Sequence, residues 1–380
     1  MRKYLLPILF YLFINVLFVD KYTLRVTEWH YILDALYVCV ACALMVGLYY
    51  WKPRPKTSMI LLYSAGLGYS ALLIALQYKI DPLGLQVDRW SAIHYFLDNL
   101  FQGIYPYAAQ THLGGYGSPF PVWQVLHIPF YAIGNVGLSF FAALALFLFV
   151  IARSRSAHFA LLTLILLMAS PAIQYEIVVR SDLFTNFMCV CALCEWLRYK
   201  SVRFTDHTLL LAIIAGLCAS TRLAAVIPLA LLYGYAFLQS GWKKQLLFVL
   251  TACGTFVCTF VPFLVWGGHQ LLFFEYNPFV LQTRQGSPLV FAIFALVAIA
   301  WTVYKKDHLQ HFHYAAGGLL TILVVLAFGY DIVRTGNGDL YSSSYDITYF
   351  NMALPFYLYT IVWGLNHESV SETLPSSLGD

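Results

Sequence analysis

The residues able to do chemistry in this chain are ionisable groups set among aromatic and apolar neighbours. Asp88, in Val87-Asp88-Arg89-Trp90, is a carboxylate beside aromatic surface. Partly withdrawn from water, it can act as a general base. Asp is also a favoured helix N-cap, so a purely structural role fits the position equally well. Arg180 and Asp182 stand in Arg180-Ser181-Asp182 after Ser170-Pro171. The simplest partner for Arg180 is Asp182 or Glu176. Arg222, in Ala219-Ser220-Thr221-Arg222-Leu223, has no acid near it in sequence. That makes it the better candidate to hold a phosphate by its planar fork of donors, the alternative being a snorkelling helix-end arginine. Arg334 with Asp331, and Asp346 with Tyr349, mark a last group of charges near the C-terminal end.

These groups are exceptions in their surroundings. Of 380 residues, 61% are apolar and 11% charged, against about 25% charged in a soluble domain. Aromatics make up 17%. A soluble globular enzyme, a disordered chain and a disulfide scaffold are excluded, and a net charge of +4 on so apolar a chain does not imply nucleic acid. Cys39, Cys42, Cys189, Cys191, Cys194, Cys218, Cys253 and Cys258 all lie in apolar runs and read as small buried hydrophobes. His308, His311 and His313 read as a solvated loop, a metal site being the alternative. No Walker loop, G-x-G-x-x-G, H-E-x-x-H or G-x-S-x-G is present.

Charges at this density need elements that cross a membrane. Apolar runs long enough to span, about 17–25 residues, occur near 4–19, 31–51, 57–77, 136–152, 157–173, 183–198, 245–266, 288–304, 313–330 and 347–364. The stretch 207–239 reads as a hairpin of two short spans turning at Ser220-Thr221-Arg222. The fold class is therefore an all-α polytopic membrane protein with about twelve transmembrane helices, the first an uncleaved span. Basic clusters at Arg2-Lys3, Lys52/Arg54/Lys56, Arg153/Arg155, Arg198/Lys200/Arg203, Lys243-Lys244 and Lys305-Lys306 hold 14 of the 22 Lys and Arg residues. They recur after every second crossing, which places them and both termini in the cytoplasm. Of the 18 acids, twelve then fall outside, so a chemical site should face away from the cytoplasm.

The segment 78–135 is the one long outer loop. Trp90, Ile93, Leu97, Leu100 and Phe101 recur at helical spacing, with Gly103 as a stop. After Pro119 and Pro121, Val122, Trp123, Leu126 and Phe130 line one face. The two stretches predict amphipathic helices lying in the interface. Gly103-Ile104-Tyr105-Pro106-Tyr107 and Gly114 through Pro121 predict a shaped turn over a cavity between them.

The arrangement resembles the GT-C-type glycosyltransferases, mannosyltransferase-like enzymes that take sugar from a polyprenyl-phosphate carrier outside the cytoplasm. Four stretches carry the likeness: Val87-Asp88-Arg89-Trp90 with the following helix; Tyr116-Gly117-Ser118-Pro119-Phe120-Pro121; Ser170-Pro171-Ala172 through Arg180-Ser181-Asp182; and Gly216 through Arg222. The resemblance covers roughly residues 57–365. In that family the loop follows the first span and here the third, so residues 1–56 form two N-terminal spans ahead of the module, and 366–380 a short cytoplasmic tail. It implies Asp88 as catalytic base, and a phosphate site drawn from Arg222, Arg180 and Arg334, with Asp182 as the acid before the next span. Tyr105, Tyr107 and Tyr116 would orient sugars. It implies an inverting transfer of a hexose, such as mannose, or of a pentose. The acceptor would be a glycan, lipid or protein hydroxyl on the outer face of a bacterial inner membrane, or in the lumen of the endoplasmic reticulum. No cofactor and no metal is called for. A membrane transporter or permease, and a lipid-linked glycan polymerase or ligase, are the alternatives.

Overall fold

The computed structural model describes residues 4–273, 276–283, 286–304, 311–342 and 345–366. Arg2, Lys3, Lys305, Lys306, His308 and the tail from residue 367 lie outside them. The described residues form seventeen α-helices and no named strand. They are α1 (Leu5–Thr23), α2 (His30–Tyr50), α3 (Pro55–Lys79), α4 (Arg89–Gln102), α5 (Pro121–Leu126), α6 (Ile128–Ala132), α7 (Ser139–Ser154), α8 (Ala157–Met168) and α9 (Pro171–Val178). After them come α10 (Leu183–Tyr199), α11 (Thr208–Ala219), α12 (Val226–Gln239), α13 (Trp242–Phe273), α14 (Pro278–Thr283), α15 (Pro288–Tyr304), α16 (Phe312–Thr335) and α17 (Leu354–Leu365).

Six helical stretches are long and apolar enough to cross a membrane: Leu5–Thr23, His30–Tyr50, Pro55–Lys79, Val136–Ser154, Trp242–Phe273 and Phe312–Thr335. Proline sets several boundaries. Pro55 starts α3 at a position where the missing N–H is one of the helix's unpaired donors anyway. The run read as one span over 157–173 is instead two helices, α8 and α9, bent by 75°. Ser170 caps α9 through its hydroxyl and Pro171 opens it, so the chain turns where the sequence pattern continues. The final apolar run is likewise divided, into a 3-10 turn (Ile347–Met352) and α17.

α1 packs one face into the bundle and leaves Leu5, Leu9 and Phe13 exposed on the other. Tyr11, Ile14 and Asn15 are fully enclosed. The Asn15 side-chain oxygen accepts from the Ser170 hydroxyl at 2.5 Å and from Ala172 N–H at 3.1 Å, fixing the bend between α8 and α9. α17 is covered on nearly every side, whereas α2 leaves Leu36 and Val40 exposed on an outer apolar face. Two sequence readings need correction here. Cys39, Cys42, Cys253 and Cys258 are exposed rather than buried. His313 is enclosed, 3.4 Å from Glu195 and stacked on Tyr359. Glu195 also meets Arg155 at 3.4 Å and Arg198 at 3.3 Å, so buried charge there is shared out within the protein.

Candidate functional site

The loop following α3 builds one wall of the site. α4 forms where its pattern predicts, presenting Trp90, Ile93 and Leu97 to the interior together with Phe96, whereas Phe101, read on the same face, is exposed; Gly103 ends it with φ of 73°. The second helix expected in this loop is broken into α5 and α6 at His127, two residues before Pro129. The break also changes its face: Trp123, Gln124 and His127 are buried, while Leu126 is exposed. Asp88 stands at the first cap of α4, but its side chain makes no capping bond. Its Oδ2 accepts from the Thr111 hydroxyl at 2.8 Å. The loop reaches it through a turn with Gly114 at φ of 81°, and a Cβ on Gly115 would lie 3.1 Å from Asp88 Oδ2. A side chain there would push the carboxylate aside by a few tenths of an ångström.

Asp88 lines a cavity of about 520 Å³ with Arg89, Tyr116, Asp182, Arg222, Asp331, Arg334, Asp346 and Tyr349. Segments from α4, the 110–119 loop, the α9–α10 junction, the α11–α12 turn and both ends of the α16–α17 loop thus meet at one place. Arg222 Nη2–H donates to Asp182 Oδ2 at 2.6 Å, and the same oxygen accepts from the Trp123 indole N–H at 2.6 Å. Both residues are buried. Burial pushes the Asp182 carboxyl up, but Arg222 and then Arg89 more than offset it and hold it below the usual carboxylate range. Asp182 Oδ1 and Arg222 Nε are buried without a partner. Arg334 pairs with Asp331 at 2.6 Å at the exposed edge.

Arg89 organises the cavity, and the sequence reading had given it no role. Its guanidinium pairs with Asp346, donates to the Thr348 hydroxyl at 2.6 Å and to the Ser181 hydroxyl at 3.2 Å, and stands 5.5 Å from the centre of the Tyr349 ring. Burial disfavours its charge; Asp346, then Glu176, restore it and hold the group above its ordinary range. Asp346 is pushed up by burial and pulled further down by Arg89 and Thr348. A signal was present: a cation in the first turn of a helix opposes the helix dipole and calls for a compensating acid.

With these three pairs formed, Asp88 is the lining carboxylate that has no ion-pair partner among the described residues. Three nominated residues do not reach the cavity. Arg180 does not line the cavity and is not paired with Asp182 or Glu176. Its backbone is left-handed, with φ of 55°, and its guanidinium donates to the carbonyls of Gln77 and, at 3.1 Å, Ile80. It closes the C-terminus of α3, whose last carbonyls lack helical donors. Tyr105 and Tyr107 are buried in an aromatic cluster with Phe96 and Phe263, their hydroxyls facing the carbonyls of Phe263 and Pro119. Tyr116 does line the cavity, its hydroxyl accepting from Gln110 at 3.0 Å.

A second cavity of about 360 Å³ adjoins the first and is mostly apolar, walled by Leu183, Ile227, Phe291, Phe294, Leu323 and Phe328. Ser118, Arg222, Leu281 and Tyr349 line both. Charged groups therefore face one side of Arg222 and hydrocarbon the other. No family model matches the chain, and no curated protein or solved structure matches it.

Proposed function

We propose that this chain is a GT-C-type glycosyltransferase that moves a sugar from a polyprenyl-phosphate carrier to an acceptor hydroxyl on the extracytoplasmic face. The observation that carries the reading is the junction at Arg222: a polar cavity containing an unpaired carboxylate opens beside an apolar one. That arrangement suits an amphiphile with an anionic head and a hydrocarbon tail. In this reading α1, α2, α3, α7, the bent α8–α9 pair, α10, α11, α12, α13, α15, α16 and α17 make twelve crossings, with α4 to α6 in the outer interface. The basic clusters put both termini in the cytoplasm.

The reaction follows from the placement. The acceptor hydroxyl gives its proton to Asp88 as its oxygen attacks the anomeric carbon. The bond from that carbon to the phosphate oxygen breaks, and the configuration inverts. The departing lipid phosphate gains negative charge, which Arg222 is placed to stabilise. Asp182 and the Trp123 indole keep Arg222 in position. Tyr116 offers a ring and a hydroxyl to the sugar.

Purified protein in lipid nanodiscs, given polyprenyl-monophosphate sugars beside the diphosphate-linked forms, tests this. Consumption of a monophosphate donor supports the proposal. Donor turnover by Asp88→Asn close to that of the unaltered chain would remove Asp88 as base. Solute flux without donor consumption would identify a permease, and turnover of diphosphate-linked oligosaccharide alone a polymerase or ligase.

A further inference from the structure

A second group of ligating side chains lies away from this cavity, where α1 and α2 meet. Asp20 comes from the last turn of α1; His30 and Asp34 stand four apart on α2 and share a face. One carboxylate oxygen of each Asp and one imidazole nitrogen all lie within 4.8 Å of one another. His30 Nδ1 contacts Asp20 Oδ1 directly. The other oxygen, Asp20 Oδ2, accepts from the Tyr341 hydroxyl, which holds the carboxylate with Oδ1 toward the group. Asp34 Oδ1 is buried and has no hydrogen-bond partner.

We propose that Asp20, His30 and Asp34 form a site for one divalent transition-metal ion, with zinc the best fit. Two carboxylates and a neutral imidazole balance a 2+ ion in full, and an imidazole ligand selects zinc-like metals over magnesium or calcium. Ligands about 2.1 Å from a tetrahedral ion stand about 3.4 Å apart, so a bound ion would take the place of the direct His30–Asp20 contact and leave a fourth position for water. His30 keeps 26% of its side-chain surface exposed, which gives the ion a way in. The ion would offset the repulsion between the neighbouring Asp20 and Asp34 carboxylates. It would also tie α1 to α2 and, through Tyr341, to the segment that ends at Asp346, the partner of Arg89. Its role there is structural and independent of the proposed reaction.

The test is zinc binding by the full chain in detergent, stripped with EDTA and titrated with zinc chloride, with retained metal counted after gel filtration. The expected result is one zinc per chain and a melting temperature raised by the metal. Asp34→Asn keeps the shape but removes a charged ligand, and His30→Ala removes the nitrogen; each should weaken binding about 100-fold or more. Failure of the unaltered chain to retain zinc, or unchanged affinity in Asp34→Asn, would overturn the proposal. No transfer assay enters the experiment, so its failure leaves the proposed reaction untouched.

Discussion

Arg222 and Asp182 are joined by a single 2.6 Å hydrogen bond, and each keeps one buried polar atom unused: Nε on the arginine and Oδ1 on the aspartate. A fully satisfied pair would be bidentate. This one is satisfied on one side only, and its free donor belongs to a residue lining both cavities.

That half-used pair separates binding from stability. Arg222→Met strands the buried Asp182 and should cost about 3–5 kcal/mol. The double variant Arg222→Met, Asp182→Leu should recover most of it, as a denaturant titration in detergent will show. Arg222→Lys keeps the charge but not the planar fork. Donor turnover should fall about 100-fold, with a much smaller loss of stability.

Arg89 and Asp346 behave differently, because the Asp346 side chain keeps 41% of its surface open. Solvent screening holds the cost of Asp346→Asn to about 1–2 kcal/mol. Both pKa shifts favour the charged forms. The folded-state pKa of Asp346 lies below its unfolded value, so its contribution is present above pH about 4 and is lost only as pH falls through the folded pKa. Unfolding at pH 5 and at pH 7 should therefore show the same penalty for this variant.

His127 acts in the same direction, but in a pH window about two units higher. It is buried, and its Nδ1–H donates to the Trp123 carbonyl at 2.7 Å. Burial lowers its pKa. Below about pH 6.5 the unfolded chain takes up a proton that the folded chain refuses, so stability falls with pH, by at most about 1.4 kcal/mol per pH unit. The slope between pH 6.5 and 5 should be shallower in His127→Gln. An unchanged slope would assign it to other groups.

Arg180→Ala tests the corrected role of that residue. KM for the lipid donor should stay within about twofold, while the melting temperature drops with the loss of the α3 cap, by an effect of about 1–2 kcal/mol. A large rise in KM would return Arg180 to the phosphate site.

The sequence carried the helices more faithfully than the contacts between them. α4 and its Gly103 stop follow from 3.6-residue spacing and a residue free to take positive φ, both local properties. The turn at Ser220-Thr221-Arg222 was legible from basic residues flanking an apolar stretch too long for one helix. Asp88, Arg222, Asp182, Arg334 and Tyr116 could be nominated because polar groups in apolar surroundings are conspicuous. Their pairing could not, since Arg89 meets Asp346 across 257 positions and Arg180 meets Gln77 across 103. Tyr105 and Tyr107 misled because a tyrosine between Gly and Pro looks the same in sequence whether its ring points to a cavity or to Phe263. The 75° bend was hidden because Ser170-Pro171 interrupts the hydrogen-bond ladder without interrupting hydropathy.

The brevity of α11 has a bearing on how a greasy substrate would arrive. Its twelve residues rise about 18 Å, well short of a hydrocarbon layer about 30 Å thick. In the proposed arrangement, a helix entering from the cytoplasmic surface would deliver Arg222 while still below the opposite headgroups. An isoprenoid phosphate meeting that arginine can keep its chain immersed, whereas lifting each methylene into water would cost about 0.8 kcal/mol. In the proposed reaction, this early stop would bring the cation down to the lipid and spare the lipid the climb.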